Sequence, residues 1–349
     1  MKLNCYKPVA LLGLLSLPLF MSAQTTAIST KEAAPVVSKE ATHEILEKIS
    51  KGLDESYPFP DISKKYIAAL KSQETKKAYE NLTAEQLAKK ITKDLRDVHK
   101  DVHLTIFFSK DYFEQLTRTY TNTSTPEDEQ KELERKRKNN YGFDAVELDK
   151  KTSTAYIKIS GGFHGDQEAF EMAANAMNMA AYSKNIIIDI RDNGGGTGMM
   201  GRFLAGYFFN PGDERYYLHG YHKDRTKDIQ EWTYPFVPGK RMADSKLYIL
   251  VNKRTASATE GFAFAMQKMH RATVVGDTTA GAGIAGSMIP LKENLVVFLP
   301  VKMVAAPDSD QGWEGIGVLP DVAVKGEDAR TEAERIIKKE QEEVATKTK

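Results

Sequence analysis

The sequence predicts an α/β fold behind a small all-helical segment, and three observations carry that expectation. Downstream of Tyr141, short apolar runs (FDAVELD, TAYIKIS, NIIIDIR, KLYILVN, ATVVG, LVVFLP) alternate with amphipathic ones (EAFEMAANAMNMAAYS, GMMGRFLAGYFF, EGFAFAMQKM). Helices packed on a largely parallel sheet require this alternation. Upstream, between Thr42 and His99, the apolar spacing is helical instead. The chain has 349 residues, enough for one large domain or two modest ones with a buried core.

Taken in order, the elements begin with a segment expected to leave the protein. Lys2 and Lys7 precede the apolar run VALLGLLSLPLF, and Met-Ser-Ala23 follows it, the layout of a cleaved secretory signal over residues 1–23. The run is short of the roughly 20 apolar residues that span a bilayer. Cys5, the only cysteine, lies before it, so a chain starting at Gln24 has neither disulfides nor a thiol nucleophile. Residues 24–41 are small and polar and read as a flexible leader. Residues 42–110 read as a helical N-terminal domain ending in a strand that carries His103. Within it, Tyr57-Pro-Phe-Pro60 breaks a helix, and TAEQLAKKITKDLRDVH starts another with a Thr83/Gln86 capping box and an apolar face of Leu87, Ile91 and Leu95. Residues 111–140 form a charged connector whose PEDEQKELERKRKNN is a solvated helix or loop. The α/β core follows over 141–325, interrupted from Tyr221 to Arg241 by a surface excursion, and a charged C-terminal helix and tail occupy 326–349. No internal repeat is present.

Charge narrows the partners. Without Lys2 and Lys7 the chain carries 47 basic and 48 acidic residues, which gives no electrostatic reason to expect nucleic acid or, beyond export, a membrane surface. The expected location is the periplasm or the extracellular space.

Four stretches could carry chemistry. In IIIDIRDNGGGTGMMG, the tail from Gly196 to Gly201 spells GxGxxG. Asp189, Arg191, Asp192 and Asn193 separate the strand from the glycines, and no second strand ends in an acid about 20 residues on, so a dinucleotide site is disfavoured. Lack of Gly-Lys-Ser/Thr excludes a Walker loop. What remains is a structural turn or bare N–H groups aimed at an oxyanion. In KLYILVNKRTASATEGFAFAMQKM a strand and turn deliver Ser257 to a helix start, as a nucleophile or simply as an N-cap alongside Thr255 or Thr259. His99 and His103 have the spacing of a helical zinc pair, but Lys100 stands where a metalloprotease has glutamate, and a strand starting after His99 would leave His103 at its mouth. His164 is a competing base, whereas His219, His222 and His270 sit in less suggestive contexts. In DSDQGWEGIGVLPDVAV, Glu314 could orient an imidazole, bind a substrate amine or merely mark a bend.

In series, YPFPD, DVHLTI, DIRDNGGG, TASATE, VGDTTAGAG and WEGIGVLPDV resemble the tail-specific (C-terminal processing) serine peptidases. Within them the chain is most similar to the tricorn-core and interphotoreceptor retinoid-binding protein branch, over roughly residues 44–324. The resemblance implies a Clp/crotonase-like core, no cofactor or metal, and peptides or unfolded proteins as substrates. It implies Ser257 as nucleophile, His103 as base and Glu314 as its partner, with the N–H groups of Ala258 and of Gly195 or Gly196 forming an oxyanion hole. One subgroup activates its serine with a lysine in a Gly-Lys-Gly step; here that step is Gly281-Ala282-Gly283, which rules out a Ser/Lys dyad. Two departures stand out. Val102 replaces the serine expected before the histidine, and about 30 residues lie where many relatives carry a PDZ domain of about 90. Two alternatives follow: a binding module of the same fold for peptides or lipids, and more remotely a crotonase-type acyl transferase.

Overall fold

The helical spacing upstream of the core folds as three helices, α1 (Lys39–Ser56), α2 (Pro60–Thr75) and α3 (Ala84–Val98). Ser38 caps α1, and Pro60 opens α2 at a position that needs no N–H. Thr83 and Gln86 satisfy each other's backbone groups at the start of α3. Leu87, Ile91 and Leu95 are fully buried, together with Ile45, Ile49 and Leu53 of α1. The computed structural model describes residues 34–121, 123, 125–222, 228–307 and 309–347. The expected signal segment 1–23, and the leader as far as residue 33, lie outside them.

Downstream run β1 (Thr105–Phe108), α4 (Lys110–Tyr120), α5 (Pro126–Lys138), β2 (Phe143–Asp149), β3 (Thr154–Ile159), α6 (Gln167–Ala180), β4 (Asn185–Asp189) and α7 (Gly198–Gly206). Then come β5 (Tyr216–Tyr221), β6 (Ile229–Trp232), β7 (Lys246–Val251), α8 (Ala258–Lys268), β8 (Thr273–Gly276), β9 (Ile284–Pro290), β10 (Leu295–Ala305), β11 (Val322–Ala323) and α9 (Ala329–Lys347). Six strands form one sheet in the order β11-β8-β7-β4-β3-β2, parallel except at β2. Alternate residues of its central strands serve opposite faces, as the pleat demands. Ile186, Ile188 and Ile249 meet α6, α7 and α8, while Ile187, Tyr248 and Leu250 meet Ala333 and Ile337 of α9. Helices on both faces explain why these strands read as unbroken apolar runs.

A second, antiparallel sheet orders β1-β10-β5-β6, with β9 also on β10. It joins the helical segment to the core, because Leu104 and Ile106 share a buried cluster with α1, α3, Val297 and Leu299. The surface excursion expected from Tyr221 to Arg241 contains a strand. β6 lies inside it and pairs with β5, Tyr216 opposite Trp232. Its residues IQEW are exposed or half-buried throughout, so no apolar alternation marks the strand in the sequence. No helix among the described residues is long and apolar enough to cross a membrane.

PEDEQKELERKRK is a solvated helix, α5, fastened to α6 by charge. Arg137 pairs with Glu168, which also accepts from the Tyr141 hydroxyl at 2.6 Å. The guanidinium first and the phenol second hold the Glu168 carboxyl at about 2, below its ordinary 4.5. A depressed acid stabilises the fold fully above about 4.5 and loses that contribution as the pH falls through about 2. Glu168→Gln is therefore expected to lower the thermal midpoint at pH 7 towards its acid value and so to flatten the acid limb of the profile between about 4.5 and about 2, as scanning calorimetry across pH would register.

Candidate active site

β4 and β7 are parallel neighbours, so the loops after them emerge at the same sheet edge, where open α/β sheets place their ligands. The loop after β7 is bolted to the loop after β4. Thr255 donates its hydroxyl to the Ile190 carbonyl at 3.0 Å, Thr259 to the Asn193 carbonyl at 3.0 Å, and the Ala256 N–H bonds that same carbonyl at 3.0 Å. Asn193 Nδ2 in turn donates to the Ile159 carbonyl at 2.9 Å. These bonds force Ser257, the N-cap of α8, to φ 57° and ψ −122°. A non-glycine residue at positive φ is strained by order 1–3 kcal/mol and persists only when its surroundings over-determine it. Sequence reasoning weighed Ser257 against Thr255 and Thr259 as caps; both threonine hydroxyls are committed to carbonyls.

The glycine loop closes against this turn. A Cβ on Gly195 would lie 2.7 Å from that of Ser257, and one on Gly196 would lie 2.1 Å from the Phe163 carbonyl oxygen. No other residue type fits either place. Gly195 gives its N–H to Asn193 Oδ1 at 3.0 Å. The N–H groups of Gly196 and Ala258 have no partner among the described residues. Ser257, Ala258 and Gly196 line one cavity of about 120 Å³ with Ala282, Leu218 and Trp313. Ala282, the middle residue of Gly281-Ala282-Gly283, thus lines the same cavity as the serine.

Glu260, fully buried on the first turn of α8, is a hub that the sequence did not single out. Its carboxylate accepts from the Ser257 N–H at 2.7 Å, the Thr279 hydroxyl at 2.5 Å, and the N–H groups of Gly281 at 2.7 Å and Ala282 at 2.9 Å. Burial raises its pKa, and the four donors oppose the shift. The signal was available, since glutamate three residues after a serine cap is a capping-box pattern.

α3 ends at Val98 and β1 begins at Thr105, so His99 and His103 share no helical face. Between them Asp101, 1% exposed, accepts at Oδ1 from the N–H groups of His103 at 2.8 Å and Leu104 at 3.0 Å, and at Oδ2 from the Tyr57 hydroxyl at 2.9 Å. The YPFPD motif thereby reaches the histidine loop through its tyrosine. The His103 ring stacks on Phe298 with centroids 5.0 Å apart and turns Nδ1 towards Glu314 Oε2, at 3.9 Å. That separation is too long for a hydrogen bond. Nδ1 and Glu314 Oε1 are both buried without partners. Glu314 Oε2 instead accepts the Gly283 N–H at 2.6 Å, and Gly283 lines the Ser257 cavity. Ligand atoms of Asp101, His103 and Glu314 lie within 4.8 Å of one another, but both Asp101 oxygens are already engaged. The competing His164 is half-buried, its Nε2 3.2 Å from the Gly161 carbonyl.

The family model for peptidase family S41 matches residues 153–324, and that for the N-terminal domain of the family in eukaryotic IRBP matches residues 30–143. The chain belongs to peptidase family S41. Family members similar to it include the carboxyl-terminal-processing protease of Synechocystis sp., 27% identical over 186 residues, which cover 52% of this chain and 41% of the relative. The tail-specific protease of Haemophilus influenzae is 31% identical over 130 residues, 37% of this chain and 17% of the relative. The chain thus matches less than half the length of either. Among solved structures, the photosystem II D1 C-terminal processing protease shares the fold at a TM-score of 0.53 and 16% identity, covering 83% of this chain and 94% of its own. The tricorn protease shares it at 0.54 and 12% identity, covering 87% and 37%.

Proposed function

We propose that the protein is a serine endopeptidase acting outside the cytoplasm on peptides or unfolded protein tails, as its relatives' names and its signal-like N-terminus suggest. One observation carries the reading: a serine held at positive φ at a helix start, in a cavity that also presents the unpartnered N–H groups of Gly196 and Ala258. In this reading Ser257 Oγ attacks the scissile carbonyl while His103 Nε2 takes its proton, because Nδ1 faces Glu314. The carbonyl oxygen becomes an oxyanion between the two amides. His103 then passes the proton to the departing amine, and water hydrolyses the acyl-enzyme by the same route. Glu314 stabilises the imidazolium, and Asp101 positions the histidine's backbone in the place left by the missing serine at Val102. The reading requires the 3.9 Å separation to close when substrate binds, as catalytic hydrogen bonds commonly do.

The same gap favours a second reading, a binding module that holds a peptide or lipid in the cleft without cutting it. Fluorophosphonate labelling separates the two. One equivalent of probe is expected on Ser257, located by peptide mass mapping, together with casein hydrolysis. An unlabelled chain that binds lipid or peptide tightly would establish the module instead.

A further inference from the structure

Two carboxylates meet an imidazole beside the start of β1 with no lysine or arginine to balance them. Asp101 is 1% exposed and the Glu314 side chain 12%. Their bonds come from the Tyr57 hydroxyl and from the N–H groups of His103, Leu104 and Gly283. No lysine or arginine among the described residues pairs with either acid, although buried carboxylates ordinarily sit against a counter-ion or a metal. Two further buried atoms there, His103 Nδ1 and Glu314 Oε1, have no hydrogen-bond partner at all.

We infer that Asp101, His103 and Glu314 form a site for one zinc ion, which acts as a reversible inhibitor and not as a cofactor; the binding stands on geometry, and the inhibition rests on His103 as the base. Donor chemistry comes first. One imidazole and two carboxylates are zinc ligands, and three protein groups leave a fourth place for water. Geometry comes second: a ligand atom from each residue lies within 4.8 Å of the other two. Zinc bonds of about 2.0–2.1 Å set tetrahedral ligand atoms about 3.4 Å apart, so the 3.9 Å between Nδ1 and Oε2 has to shrink by only about half an ångström. Free lone pairs come third. Nδ1 and Oε1 are unpartnered, and Asp101 Oδ2 accepts from Tyr57 alone, which leaves one of its two lone pairs. Tyr57 and the three backbone N–H groups already orient the two carboxylates, as the bonds behind a metal's ligands must.

The effect on catalysis follows from the ring's single proton. A neutral imidazole carries one N–H, and zinc at Nδ1 leaves it on Nε2, which then donates and cannot accept the proton of Ser257. Glu314, engaged by the metal, no longer serves the imidazolium. Removing the ion lets the proton return to Nδ1 and frees Nε2.

The full chain, stripped with EDTA, dialysed and titrated with zinc chloride in a calorimeter, tests this. One equivalent should bind, and cobalt in its place should show the visible bands of a four-coordinate site. Asp101→Asn and Glu314→Gln keep the side-chain shape and should each weaken zinc by about 100-fold or more, with folding checked by circular dichroism, whereas His99→Ala should leave the affinity unchanged. Zinc should also slow fluorophosphonate labelling of Ser257 by about 100-fold or more, and EDTA should restore it. Absence of stoichiometric binding, binding that both folded variants retain, or binding that His99→Ala removes would overturn the inference alone, since labelling of the zinc-free chain would still report the proposed function. Zinc held by these three residues with labelling unslowed would overturn the inhibition, and with it His103 as the base.

Discussion

Ser257→Ala is expected to lower kcat for peptide hydrolysis by about 10⁶-fold, and His103→Ala by nearly as much. The double variant should be scarcely worse than either alone. Nucleophile and base act as a unit: a hydroxyl without an acceptor for its proton is a weak nucleophile, and an imidazole without the hydroxyl has nothing to activate. What survives, about 10³–10⁴ over water, belongs to the amides of Gly196 and Ala258 and to substrate binding. Glu314→Gln should fall short of this, at about 10²–10⁴-fold, because it leaves base and nucleophile in place and removes only the charge that faces Nδ1 at 3.9 Å. Steady-state kinetics on one peptide across the four variants decides the matter. Additive losses, or a His103→Ala enzyme near wild-type activity, would remove His103 from the chemistry and direct attention to another base.

Glu260→Ala should damage stability as well as activity. It strips the acceptor from three N–H groups and one hydroxyl, all on buried or half-buried segments. An unsatisfied buried donor costs about 1–3 kcal/mol, and because water entering the vacated space serves some of them, the expected loss is about 3–5 kcal/mol. Denaturant titration measures it. Activity should fall together with stability even at low temperature, because Ser257 loses the bond that fixes its N–H, and the 279–282 loop loses its tie to α8. The sign of the pH dependence follows from burial. A carboxyl raised above 4.5 contributes its full stability below that value and loses it as the pH climbs through the higher folded value. Glu260→Ala should accordingly remove a decline in stability on the alkaline side of 4.5. A folded Glu260→Ala chain within about 1 kcal/mol of wild type would contradict the hub.

Periodic burial made the six-stranded sheet and its helices legible in the sequence, since Ile186 to Ile188 face helices on both sides and Leu87, Ile91 and Leu95 face one. The second sheet was largely illegible. β6 buries almost nothing, and pairing with β5 alone makes it a strand. At the site, motif order singled out the candidate residues Ser257, His103 and Glu314. The bonds that hold them in place could not. Gly195 and Gly196 look equivalent in Gly194-Gly-Gly196, yet Asn193 occupies the amide of the first and leaves the second bare. Asp101 and Glu260 act through backbone N–H groups, which appear only once the turns around them are folded.

His103 sits on a loop packed among the N-terminal helices, while Ser257 rides on the central sheet, and between these two bodies of packing the four-residue β1 is a short seam. On the proposed reading, in which His103 serves Ser257, competence to hydrolyse is a property of the seam. Mild denaturant, or a nick in the charged helix between them, would extinguish turnover while circular dichroism still registered nearly all of the helix and sheet, and religating or re-docking the N-terminal piece would rekindle it.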